Sequence, residues 1–137
     1  MNRNDLQRLA GTRIREAKTL FRAAEYSGAY YLAGYAIECA LKACIAKGVK
    51  RYDFPEKGLA DKVFTHDLPT LLKHSRLNVE LEATCKANPD FATCWDAVIK
   101  WSETSRYTVW TRNQAEELLD AILRRKDGVM PWIKQRW

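Results

Sequence analysis

The stretch AYYLAGYAIECALKACIAK, residues 29–47, constrains the fold more than any other part of the chain. Its apolar residues cover most of a helical circumference, so a helix formed here must touch neighbours on several sides and belongs at the centre of the molecule. Only a narrow seam is polar. Tyr31, Tyr35, Glu38 and Lys42 follow one another at steps of four, three and four, a spacing that lines them along one helical edge. Glu38 precedes Lys42 by four residues, the favourable order for an ion pair. Either that pair satisfies itself beside the tyrosine hydroxyls, or the seam forms the wall of a polar pocket.

The flanking segments supply the neighbours. From a cap at Asn4 or Asp5, the residues Leu6, Leu9, Ala10, Ala17, Leu20, Phe21 and Ala24 recur at helical spacing. Arg8, Arg15 and Arg22 occupy the opposite face at heptad intervals and, with Lys18, form a basic ridge. Arg13 falls inside the apolar stripe, where a guanidinium must snorkel out or find a carboxylate. Residues 48–65 interrupt the pattern and are long for a helix connection; they read as a lid or an insert, with a turn of helix at LADKV. THDLPTLLKHS then predicts a short helix capped by Thr65 or Asp67. Another follows over Val79–Ala87, and Asn88 with Pro89 starts a third whose stripe is Phe91, Cys94, Trp95, Val98 and Ile99. From Arg112 or Asn113 the last stripe runs in phase to Trp137, predicting one long helix kinked near Gly128 and Pro131. Apart from a few extended residues at RYTVW there is no strand alternation. The expectation is an all-α, up-and-down bundle of four or five helices in one domain, 1–137.

Composition narrows the function classes. No window approaches the roughly 18 apolar residues of a membrane span, and the polar start lacks a secretory pattern, which predicts a soluble, cytoplasmic chain. A membrane-surface role for the first helix is disfavoured, because the stripe opposite its basic ridge is needed by the core. Cys39, Cys44, Cys85 and Cys94 match no zinc or redox spacing and read as reduced core residues. There is no phosphate-binding glycine loop, nucleophile elbow or H-E-x-x-H, so neither metal nor cofactor is expected. Net charge is uneven, +5 over residues 1–50, −3 over 51–123 and +4 over 124–137. If the terminal helices lie side by side, they present a positive face to a polyanion; otherwise the charge is solvated surface.

The stretches AEYSGAYYLAGYAIECALKACI, THDLPTLL and SRYTVW, in that order, resemble the HEPN family, small helical bundles of prokaryotes and higher eukaryotes associated with nucleotides. The resemblance implies a homodimer, and for some members a nucleotidyltransferase partner in toxin–antitoxin pairs. Many members are metal-independent ribonucleases with an R-x4-6-H motif, in which imidazole takes a ribose proton and guanidinium stabilises the phosphorane. Arg106 is the arginine candidate, but positions 111, 112 and 113 hold Thr111, Arg112 and Asn113. The motif is absent. His66, expected to help close a helix start, and Tyr107 are the substitute candidates for catalysis; His74 sits near a helix end. Arg106 has two candidate tasks. It anchors the last helix through Glu38, Glu103 or Asp67, or it shares one side of an extended segment with Trp110 and Arg112 and meets phosphate and base, with Tyr107 and Val109 facing inward. The chain is expected to be a non-catalytic module that binds nucleotide or RNA or docks a partner. The alternatives are a diverged endoribonuclease toxin and a purely structural dimerisation domain.

Overall fold

A computed structural model describes residues 1–49 and 63–137. It is an all-α bundle, with seven α-helices, one 3-10 turn and no strand among the described residues. The expected lid and its turn at LADKV fall mostly outside those residues.

Helix α1 (Arg3–Arg22) is capped by Asn2, two residues before the earlier of the two expected caps, Asn4. The Asn2 side chain accepts the Asp5 N–H at 2.9 Å while the Asp5 carboxylate accepts the Asn2 N–H at 3.1 Å, so two otherwise orphaned donors satisfy each other's residues. It ends where Glu25 N–H reaches Leu20 O (2.8 Å) and Ala24 N–H reaches Phe21 O (3.0 Å). That closure requires a left-handed residue, and Ala24 takes it at φ 63°.

Helix α2 (Tyr26–Gly48) starts three residues earlier than its apolar run suggested, because Gly28 continues the helix instead of breaking it. Its buried face includes Ala33, Ala36, Ile37, Ala40, Leu41 and Cys44. It packs against α1, against α3 (Leu68–Ser75), against the 3-10 turn η1 (Glu103–Tyr107), and against α6 (Arg112–Leu123) and α7 (Val129–Lys134). The central position expected of an all-round apolar helix is the observed one. Trp101, which leads into η1, lies directly against α2. Its buried indole lies where a methyl on Gly34 would stand, 2.2 Å from the ring atoms, so only glycine lets η1 approach α2 this closely.

Helices α4 (Asn78–Ala87) and α5 (Pro89–Ile99) complete the wall. Asn88 caps α5 by accepting the Asp90 and Phe91 N–H groups, Pro89 fills the first position, and Phe91, Cys94, Trp95 and Val98 are buried. The C-terminal expectation needs correction. It is not one kinked helix: Arg124 takes φ −51°, ψ 127°, and the chain turns before restarting at Val129. Gly128 N–H closes the turn on Arg124 O at 2.9 Å, in a space where a methyl would lie 2.2 Å from that oxygen. Pro131 falls in the first turn of α7, where its missing N–H costs nothing. The stripe stayed in phase because both helices bury the same side of the chain against one core.

No helix among the described residues is long and apolar enough to cross a membrane. All four cysteines are free thiols, with Cys39, Cys44 and Cys94 buried. Burial pushes Cys39 up to about 12 and Cys44 up to about 11.

Candidate functional site

A carboxylate inside an apolar helix must be paired to stay charged. Glu38 is 1% exposed and its Oε1 accepts Lys42 Nζ at 2.8 Å, one helical turn along. The same oxygen accepts His66 Nδ1 at 2.9 Å, a contact that crosses from α2 to the segment leading into α3. His66 Nε2 lies 3.5 Å from Glu103 Oε2 on η1. One imidazole therefore ties three elements together. This corrects the expectation that His66 closes a helix start: Asp67 is the cap of α3, its carboxylate accepting Thr70 N–H, while Thr65 Oγ1 accepts Asp67 N–H.

The carboxylates once open to Arg106 are thus occupied. Glu38 and Glu103 face His66, Asp67 caps α3, and among the described residues no carboxylate stands within ion-pair distance of Arg106. Its guanidinium is exposed and lies over the Tyr107 ring, 4.9 Å from the centroid. The hydroxyls of Tyr107, foremost, and of Tyr31 raise it above its ordinary value, so it is always charged. Glu103 and Arg106 are three residues apart on a 3-10 turn, a spacing that places both on one side of it. The turn therefore presents Arg106 beside the edge where His66 meets Glu103.

The α2 seam continues this edge. Tyr31 and Tyr35 lie 6.2 Å apart between ring centroids, and Arg13, which pairs with Glu16, stands 6.0 Å over Tyr35. The residue in the apolar stripe of α1 has found both a carboxylate and an aromatic face. Burial raises Tyr35, and the same effect raises Tyr30.

Of the extended residues expected at RYTVW, Arg106 and Tyr107 belong instead to the 3-10 turn, while Thr108 is extended at φ −106°, ψ 142°; the expected orientation of the side chains is corrected. Tyr107 and Val109 are exposed at 77% and 89% and do not face the core. Trp110 instead packs inward, stacked on Tyr30 at 3.7 Å, with Nε1 donating to Ser105 O and its backbone N–H donating to Ser27 Oγ. Those bonds join the start of α2 to the cap of α6, where Thr111 and Gln114 exchange hydrogen bonds. Arg112, just beyond, is exposed.

The basic ridge of Arg8, Arg15, Lys18 and Arg22 is exposed as expected, although Arg8 pairs with Asp5 and Arg15 donates to Thr12 Oγ1. It does not merge with the basic C-terminus through helix packing. The principal neighbours of α7 are α6, α2 and α5, whereas α1 packs chiefly on α2. Among the described residues no three metal-ligating side chains gather, and the two nitrogens of His66 face different carboxylates.

The reading from the sequence missed Trp101 as a core residue and η1 as a compact turn. The signal for the turn was present: Ser102 precedes Ser105 by three, and Ser105 Oγ accepts the Ser102 N–H at 3.2 Å. Comparison of the chain with protein-family models, with curated proteins and with solved structures gave no match.

Proposed function

We propose that this helical bundle is a HEPN-like module that binds a nucleotide or RNA through the edge formed by η1 and the polar seam of α2. The observation that carries this reading is Arg106. Its candidate anchoring carboxylates are taken by His66 and by the α3 cap, which leaves an exposed guanidinium over an exposed tyrosine ring. A guanidinium contacts phosphate in a fork geometry, and Tyr107 offers a face for a base. Trp110 has no such part, being stacked inside. The test is a metal-free gel shift with single-stranded RNA over a range of salt, comparing wild type with Arg106→Ala/Arg112→Ala. Salt-sensitive binding that weakens in the variant supports the reading. Two lost phosphate contacts would reduce the salt slope by about 1.4 on single strands. No binding at low salt refutes it and turns attention to a protein partner, such as a nucleotidyltransferase or a second copy of the chain.

One observation favours a second reading, a metal-independent ribonuclease. His66, which stands nowhere near the spacing of an R-x4-6-H motif, meets η1 on the side that carries Arg106. An imidazole positioned by Glu38 could take a ribose proton while Arg106 meets the developing charge. Cleavage without metal, lost in both His66→Ala and Arg106→Ala, would favour it over simple binding.

A further inference from the structure

Tyr30 is 5% exposed and stacked on Trp110, yet its hydroxyl has no hydrogen-bond partner among the described residues. Nor is that oxygen sealed in. The buried, unpartnered side-chain atoms among those residues are Glu38 Oε2, Trp101 Nε1 and Arg136 Nε, and Tyr30 is not one of them. Tyr30 opens instead on a cleft of about 180 Å³. Besides the two stacked rings, the wall is made by Ala97 and Lys100 at the end of α5 and by Gln114, Glu117 and Leu118 of α6. Burial, chiefly, and the nearby Glu117 carboxylate raise Tyr30 above its ordinary value, so the phenol keeps its proton at neutral pH.

Lys100 and Glu117 are the formally charged residues of this wall. They come from different helices, and among the described residues neither stands within ion-pair distance of the other or of a third group. A ligand with a single charge would be drawn to one of them and repelled by the other, whereas a ligand with both charges answers both. Gln114 stands three residues before Glu117, on the same helical face. Its Oε1 accepts the Thr111 N–H at 2.9 Å, which leaves the amide N–H groups as donors without an acceptor among the described residues. Lys100, Gln114 and Glu117 are exposed, so a molecule in the cleft can reach each of them.

We propose that this cleft binds a small zwitterion of the amino-acid class, with one ammonium and one carboxylate on a short chain. The carboxylate accepts from Lys100 and from the Gln114 amide. The ammonium donates to Glu117 and to the Tyr30 oxygen, while the carbon chain lies on Ala97, Leu118 and the Trp110 ring. A cleft of about 180 Å³ falls below the roughly 300–1,000 Å³ of drug-sized sites, which fits a molecule of this size. Arg106 takes no part in the wall, so the site stands apart from the nucleic-acid edge.

The test titrates glycine, β-alanine and 4-aminobutanoate at constant ionic strength, each beside its analogues lacking the ammonium or the carboxylate, and follows the methyl resonances of Leu118. At least one of the three should give saturable shifts, and its single-charge analogues should bind about five- to tenfold more weakly. Lys100→Met and Glu117→Gln should each weaken that zwitterion by a similar factor, and Tyr30→Phe, which keeps the stacked ring, by about fivefold. Ala97 is half-buried on the wall, and Ala97→Leu, which fills the space, should abolish the shifts; Arg106→Ala should leave them unchanged. Absence of saturable shifts up to about 0.1 M overturns the proposal. So does a single-charge analogue that binds as tightly as its zwitterion, full affinity in both Lys100→Met and Glu117→Gln, or binding that survives Ala97→Leu. Should Ala97→Leu fail to fold, the substitutions at exposed Lys100 and Glu117 and the analogues on wild type still decide.

Discussion

Gly34→Ala tests how η1 is held against α2. A methyl at this position would lie 2.2 Å from Cδ1 and Cγ of Trp101 and 2.3 Å from its Nε1. Ordinary contact begins near 3.4 Å, so the indole or the helix must move by about 1.2 Å. Trp101 is 2% exposed and its ring is flat and rigid, so it cannot swing aside as a flexible side chain would. Overpacking of this kind costs about 1–3 kcal/mol, and the upper part of that range applies to a ring that cannot yield. Alanine in a helix interior returns about 1 kcal/mol over glycine. The net loss is about 1–2 kcal/mol. With an unfolding entropy of about 2.1 cal/mol/K per residue over 137 residues, Tm should fall by about 3–7 °C. Thermal unfolding followed by far-ultraviolet circular dichroism measures this, with Gly11→Ala as the control. A methyl at Gly11 meets Arg15 Nη1 at an ordinary 3.6 Å, so that variant should be neutral or gain up to about 1 kcal/mol. If Gly34→Ala melts at or above wild type, in step with Gly11→Ala, the close approach of Trp101 does not govern this junction. Because Trp101 leads directly into the turn bearing Glu103 and Arg106, the same variant should also weaken whatever binds at that edge.

Three further outcomes follow from individual residues. Ala24→Gly should stabilise the protein by about 1 kcal/mol in thermal melts, since glycine relieves the left-handed φ of 63° without disturbing the α1 closure; a lower Tm would contradict this. Asn88→Ala should lower the urea midpoint by about 0.5–2 kcal/mol equivalent at unchanged slope, because it removes the one oxygen that accepts both the Asp90 and Phe91 N–H groups, and the 2.8 Å bond to Asp127. The buried thiols set an alkaline limit. Cys39 and Cys44 are raised to about 12 and about 11 from an ordinary 9.0, so the folded state favours the neutral forms. Their contribution is complete below pH 9.0 and is lost as pH rises towards 11 and 12, which denaturation midpoints across alkaline pH should show and Cys39→Ala/Cys44→Ala should flatten.

How far the fold could be read from the sequence depended on how local the determining interaction is. The Asn88–Pro89 start of α5 was legible because cap and first turn lie within three residues of one another, and the Glu38–Lys42 pair was legible for the same reason. The central place of α2 followed from its circumference alone. By contrast, the C-terminal stripe stays in phase across residues 124–128, so periodicity could not distinguish a bent helix from two helices on one core. The end of η1, Arg106 and Tyr107, was read as extended because RYTVW alternates. Its real determinant is the Trp101–Gly34 contact, between residues 67 positions apart, together with Trp110 stacking on Tyr30.

The candidate site shows the same divide in sharper form. Glu38, Lys42, Tyr31 and Tyr35 were placed on one edge by helical spacing, and that edge needs no tertiary information. What decides the chemistry there is the choice of partner for Glu38 and Glu103, and local spacing does not encode it. Arg106 and His66 both lie in the right region, and either could have answered the carboxylates. The two opposed nitrogens of the imidazole face two carboxylates, Nδ1 at 2.9 Å from Glu38 and Nε2 at 3.5 Å from Glu103. With those carboxylates facing His66, no carboxylate among the described residues stands within ion-pair distance of the Arg106 guanidinium, which lies at the surface against a tyrosine ring. The position of His66 therefore determines whether Arg106 is structural or available. His66→Ala gives the consequence a direct form: with Glu103 released, Arg106 can pair with it at the turn, and binding attributed to Arg106 should fall even though Arg106 itself is unchanged. Retention of full RNA affinity in His66→Ala would show that the two residues act independently.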